Sequence, residues 1–136
     1  MRIRNTAHLT YCANIHAGEQ WQVFFSALKN SVPPIKKKIA PHRSFGLGLR
    51  FSDISSREIL RNDSLKIFQE WLRENDLYVF TINGFVFGGF HNVIVKDNVH
   101  SPDWTTTERV EYTSRMFRIL SQLLHKGIDG GISTSP

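Results

Sequence analysis

His16 and His91 are the side chains best suited to move a proton or hold a metal, because an imidazole titrates near neutrality. His16 closes HLTYCANIH, two residues after Asn14, and His91 closes LYVFTINGFVFGGFH behind Gly88 and Gly89. Either can act as a catalytic base or shuttle. Either can equally be a loop residue bonded to backbone. Arg50 ends FGLGLR, and its planar fork suits a phosphate or carboxylate or a structural ion pair, Asp53 being the nearest acid. Asn83, before Gly84, can orient a substrate hydroxyl or cap its own turn. Phe85, Phe87 and Phe90 can wall an aromatic pocket, since Gly84, Gly88 and Gly89 leave the backbone room to approach a ligand; Phe80 reads as core. Catalytic candidates are therefore His16 and His91. Substrate-binding candidates are Asn14, Arg50, Asn83, Phe85 and Phe87, and no residue is assigned to a metal.

These groups must be delivered by the elements around them, and Leu77–His91 organises the rest. Leu77–Ile82 is an apolar strand that stops at Asn83-Gly84 and opens into a glycine-rich loop. Before it, residues 8–15 read as a strand ending at Asn14 and His16. Glu19–Asn30 has helical spacing, with Trp21, Phe24, Phe25 and Leu28 on one face. Ser31–Pro34 should break it, leaving a short basic helix over Ile35–Ile39. Phe45–Phe51 alternates as a strand, its Gly46 and Gly48 permitting a close neighbour. Ser55-Ser56-Arg57-Glu58 matches a capping box. Ser64–Glu74 is a helix with Leu65, Phe68 and Leu72 inward, widened by Ile67 and Trp71, and Asn75 stops it. The connection Asn83–Asp103, about twenty residues, is long enough to be functional; Lys96-Asp97 and Asp103 read there as surface and turn residues. Thr105-x-x-Glu108 caps a last helix with Val110, Thr113, Met116 or Phe117, Leu120 and Leu123 or Leu124 buried, ending at Gly127. Ile128–Thr134 is a fourth strand, with Ser133 and Ser135 at its end.

A chain of 136 residues is one domain's worth. The single cysteine, Cys12, precludes an internal disulfide and a cysteine-based zinc site, and reads as buried in the first strand. No apolar run approaches the ~20 residues of a membrane span, and the N-terminus lacks the apolar core of a signal peptide, so the expected location is cytoplasmic. The net charge of +5 raises nucleic acid as a partner through Lys36-Lys37-Lys38, with His42 and Arg43 beside them. A solvated helix end is the better reading, because no aromatic stacking platform accompanies the run.

Strands alternating with helices imply an α/β fold with a parallel sheet. No G-x-G-x-x-G follows the first strand and no G-x-x-x-x-G-K-[ST] occurs, which disfavours a dinucleotide-binding sheet. Two folds fit the alternation, a doubly wound open sheet and about half of a (β/α)8 TIM barrel, and the second is the expectation because residues 1–136 supply some four β/α units of roughly 30 residues. A half barrel leaves unpaired edges and a bare face, so a missing barrel half or self-association is expected.

LTYCANIHAGEQW, FGLGLRFS, WLRENDLYVFTINGFVFGGFH, VKDNVHSPDW and GISTSP together resemble the N-terminal portion of EboE-like metabolite traffic proteins. That family belongs to the xylose-isomerase-like, sugar phosphate isomerase/epimerase-like TIM barrels. The resemblance implies a metabolite-handling barrel that binds a small metabolite or precursor in connection with its export to the periplasm. The alternative it implies is a metal-dependent sugar (phosphate) isomerase or epimerase. In the wider superfamily metal ligands come largely from later strands, so a divalent metal is expected only in a full-length barrel, and the catalytic set in this chain would be incomplete.

Overall fold

The computed structural model describes residues 1–3, 7–89 and 99–134. Two short strands, β1 (Arg2–Ile3) and β2 (Ala7–His8), pair antiparallel as a hairpin. Then come β3 (Thr10–Cys12), a 3-10 turn at Ala13–Ile15, α1 (Trp21–Ile39), β4 (Phe45–Arg50) and α2 (Asp53–Ile59). α3 (Ser64–Glu74), β5 (Leu77–Asn83), α4 (Thr107–Leu123) and β6 (Gly131–Ser133) complete the chain path. β3, β4, β5 and β6 form one parallel sheet in chain order. The order never reverses, as it would in a doubly wound sheet. Right-handed crossovers between strands laid down in one direction place their helices on one face, and α2 accordingly touches α1, α3 and α4.

The helices bury one face of the sheet. Phe45, Leu47, Leu49 and Phe51, the odd positions around β4, join Trp21, Phe24, Leu28, Phe68 and Met116 in a single core. Trp21 stacks on Phe25 at 5.0 Å and meets the edge of Phe68 at 5.1 Å, geometries that suit the aromatic quadrupole. The even positions of β4 face the other way. Gly46 lies under the hairpin, and a Cβ there would stand 2.6 Å from the Leu9 carbonyl oxygen and 3.0 Å from the Met1 nitrogen.

An irregularity in β5 decides which residues reach that second face. Leu47 pairs with Val79, but Gly48 pairs with Thr81, so Phe80 is an extra residue in the ladder. A bulge of this kind resets the two-residue alternation. Val79 and Ile82 both enter the core, and Asn83 is turned to the open side. Without the bulge Ile82 and Asn83 would exchange faces.

Several sequence expectations are corrected. The strand expected over 8–15 is shorter, because Leu9 is tied to Met1 through both backbone groups (2.8 and 2.5 Å) and residues 13–15 curl into the 3-10 turn. α1 does not break at its prolines. Pro33 and Pro34 withhold donors from the carbonyls of Lys29 and Asn30, but both residues are exposed to water. Val32 is wholly buried and Ile35 packs on the core, a gain of about 1.5–3 kcal/mol per buried side chain that competes with the ~3 kcal/mol cost of an interior proline. Lys36, Lys37 and Lys38 form the last turn, where the helix dipole favours cations.

The caps also move. α2 is capped by Ser52, whose hydroxyl accepts from Ser55 N at 3.0 Å while Ser52 N donates to Ser55 Oγ at 2.8 Å. Glu58 is thereby released to cap a different helix, accepting from Trp21 N at 2.6 Å. α4 starts one residue late on Thr106, so Arg109 and Tyr112 turn inward while Val110 and Phe117 face solvent. Ile67 is likewise exposed. Cys12 is exposed rather than buried, because it points from the edge strand to the uncovered side.

Gly46→Ala should lower stability by about 1–3 kcal/mol through overpacking against the hairpin backbone. Gly131→Ala, with nothing within 4 Å of its added methyl, should stay within about 0.5 kcal/mol of the parent. Urea denaturation of both variants checks the pair.

Candidate site at the C-terminal rim of the sheet

Strand register assembles the rim. Arg50 pairs with Asn83 and Asn83 with Ser133, so the last residues of three adjacent strands lie in one row. The row behind it holds Cys12, Gly48, Thr81 and Gly131.

Arg50 is 4% exposed and links two connections that are distant in sequence. Its Nη1 lies 3.6 Å from Glu19 Oε1, in the segment before α1. Its Nη2 donates to the Gly88 carbonyl beyond β5. Burial pulls the Arg50 pKa down, while Glu19, and then Tyr112, oppose the shift. The partner is thus Glu19, not Asp53. Asp53 is held by Arg115 and, at 3.0 Å, by Arg57, and its amide donates to the Phe87 carbonyl at 2.8 Å. Gly89 lies close beside this pair, where a Cβ would stand 3.2 Å from the Glu19 carboxyl carbon and oblige that side chain to give way. A cavity of about 260 Å³ opens here, lined by Glu19, Ser52, Asp53, Ile54 and Phe87–Gly89.

Two buried residues that sequence reasoning missed, both on α4, fix the loop after β5. Arg109, fully buried, donates Nε to the Pro102 carbonyl (2.7 Å), Nη1 to Gly84 (3.0 Å) and Nη2 to Phe85 (3.3 Å). Tyr112 donates its hydroxyl to the Phe51 carbonyl at 2.6 Å, with the Val86 carbonyl at 3.2 Å beside it. Burial raises the Tyr112 pKa against the opposing pull of Arg50 and Arg109. The phenol therefore stays a donor. The only sequence signal was an arginine and a tyrosine three apart on a helix whose phase is set by its cap.

The other candidates separate. Asn83 Oδ1 accepts from Phe85 N (3.1 Å) and lies 3.2 Å from Ser133 Oγ, so this side chain caps its turn and ties β5 to β6. His16 Nε2 is bonded to the Tyr11 hydroxyl at 2.9 Å; Tyr11 packs on the helix-side core, which draws His16 toward the outer edge of β3. Asn14 is half-buried in the 3-10 turn, and its Oδ1 has no hydrogen-bond partner among the described residues. Phe87 lines the cavity and packs on Tyr112 at 5.0 Å. Phe85 instead meets His100 edge-on at 5.4 Å. Phe80 lies on the open face against His8, at 4.9 Å. His91, Phe90, Lys96, Asp97 and Ser135 lie outside the described residues. Asp103 forms the turn before α4, accepting from Thr105 N (2.9 Å) and Thr105 Oγ1 (2.6 Å).

Among the described residues no group of three or more His, Cys, Asp or Glu is placed to hold a metal ion, and no helix is long and apolar enough to cross a membrane. No known family model, curated protein or solved structure matches this chain.

Arg109→Met should cost about 2–4 kcal/mol, because it leaves the Gly84, Phe85 and Pro102 carbonyls without their donor. Hydrogen exchange should show amide protection lost first at Gly84–Phe87. Acid should act on the same connection. The hydrogen bonds from Thr105, side chain then backbone, hold the Asp103 pKa below 3.8. Its stabilising contribution is full above the unfolded-state value and is lost as pH falls through the lowered folded one. Fraying of the first turn of α4 below about pH 4, absent from the already neutral Asp103→Asn variant, is the NMR signature expected.

Proposed function

We propose that this chain forms the first strand–helix units of an EboE-like, xylose-isomerase-like (β/α)8 barrel, and that its C-terminal rim binds a small metabolite. The observation that carries the reading is the unreversed order β3-β4-β5-β6 with its helices in one layer. Such winding curves toward closure and puts the polar ends of successive strands around one mouth. A doubly wound sheet would use its switch point instead.

Rim chemistry narrows the ligand. The cavity carries two carboxylates, Glu19 and Asp53, beside the apolar Ile54 and Phe87. Those walls favour an uncharged aromatic molecule bearing hydroxyl donors. The rim acids are already engaged: Glu19 by Arg50, Asp53 by Arg57 and Arg115, and Glu58 by the α1 backbone. They are therefore better placed to accept a ligand's hydrogen bond than to shuttle a proton, and binding is favoured over isomerisation.

The test is an amide chemical-shift titration with 4-hydroxybenzyl alcohol and, separately, fructose 6-phosphate. The reading expects saturable shifts from the alcohol at Glu19, Ser52–Ile54 and Phe87–Gly89, weakened about fivefold, near 1 kcal/mol, by Phe87→Ala. Tighter binding of the sugar phosphate would transfer the site to isomerase-type substrates. Absence of saturable rim shifts from either probe would overturn it.

A further inference from the structure

The other end of the sheet holds a second concavity. Beneath the β1–β2 hairpin, at the N-terminal ends of the strands, lies a cleft of about 390 Å³ lined by Arg2, His8, Arg43, Ser44, Asp76–Tyr78, His125 and Ile128. Basic side chains reach it from separate segments: Arg2 and His8 from the hairpin, Arg43 from the approach to β4, and His125 from the chain beyond α4. Among the described residues Asp76 is the one acid in the lining. Its charge is already matched by Lys36 Nζ at 3.3 Å, and its other oxygen accepts from Ser44 Oγ at 2.6 Å.

The cations are held rather than scattered. Arg43 donates Nη2 to the Arg2 carbonyl at 3.0 Å, fixing the guanidinium against the hairpin. Tyr78, 5% exposed and stacked on Phe80 at 6.0 Å, lies at the base of the cleft, its hydroxyl 2.9 Å from His8 Nδ1 and its ring 5.6 Å from His8 and 6.3 Å from His125. Beside the cleft, burial and then repulsion from Arg43 lower the Met1 amine pKa to about 6. Guanidinium forks suit phosphate and carboxylate oxygens, and the exposed His125 and half-buried His8 rings offer aromatic surface to a planar body.

We infer that this cleft is a binding site for a small aromatic anion, its phosphate or carboxylate head group held by Arg2 and Arg43 and its ring lodged between His8 and His125 above the buried Tyr78. The site is independent of the rim. It lies at the opposite pole, and among the described residues it shares no lining residue with the rim cavity.

Phenyl phosphate and benzoate, titrated separately at constant pH and ionic strength, test it through the histidine and tyrosine ring resonances. The inference expects saturable shifts at His8, Tyr78 and His125 from at least one probe, and the tighter probe identifies the head group. Arg43→Gln should weaken that binding about tenfold. Lys37→Gln, on the exposed last turn of α1, should leave it unchanged. His125→Gln, at an exposed position on the opposite wall, supplies a second reading and should weaken it about threefold if Arg43→Gln fails to melt cooperatively. Shifts that only grow linearly, equal affinity in the cleft variants, or an equal loss in Lys37→Gln would each reduce the cleft to part of a diffuse basic surface and overturn the inference.

Discussion

The direction of winding constrains everything else. Four parallel strands laid down side by side in chain order commit their helices to one layer, because parallel crossovers are right-handed as a rule. The aromatic core between sheet and helices, from Trp21 to Phe68 and Phe51, exists because of that commitment. So does the second face, where Gly46, Gly48 and Thr81 have no helix above them among the described residues. A sheet that reversed its order would bury both faces and would have no continuous polar rim.

Given that winding, the rim is shaped by arginines donating to loop carbonyls. Arg50 reaches Gly88, and Arg109 reaches Gly84, Phe85 and Pro102. Irregular chain near a packed core carries backbone acceptors that must be satisfied, and a guanidinium can serve several at once. The cost is a desolvated charge, offset here by Glu19 for Arg50 and by three carbonyls and two aromatic faces for Arg109. These cations act on the site mainly by fixing the loop that forms its wall.

The sequence made the architecture readable because its strongest signals were periodic. β4, α3 and β5 fall within a residue of their expected bounds, and the parallel α/β class follows from their alternation. What was hidden depended on phase. Thr106 in place of Thr105 as the cap rotates α4 and exchanges Val110 for Arg109 and Tyr112 in the interior. The extra residue at Phe80 transfers Ile82 to the core and Asn83 to the rim. Pro33 and Pro34 carried a local breaking signal that tertiary burial of Val32 and Ile35 outweighed. For the site, Arg50 and Asn83 were placed correctly at strand ends, and register brought them together. Their partners Glu19 and Ser133 required the sheet to be folded first, because those contacts span connections whose lengths carry no pairing information.

Two poles of different chemistry follow from one scaffold: arginine-paired carboxylates and glycines above, arginines and histidines below. Their separation depends on the sheet having a single helical layer, and methyl-resolved NOE spectroscopy tests that layer most directly. Val79 and Ile82 should give cross-peaks to α3 and α4 side chains, whereas the Thr81 γ-methyl should give them only to its sheet neighbours around Gly48. Cross-peaks from Thr81 to any helix methyl would place helices on both faces and contradict the account.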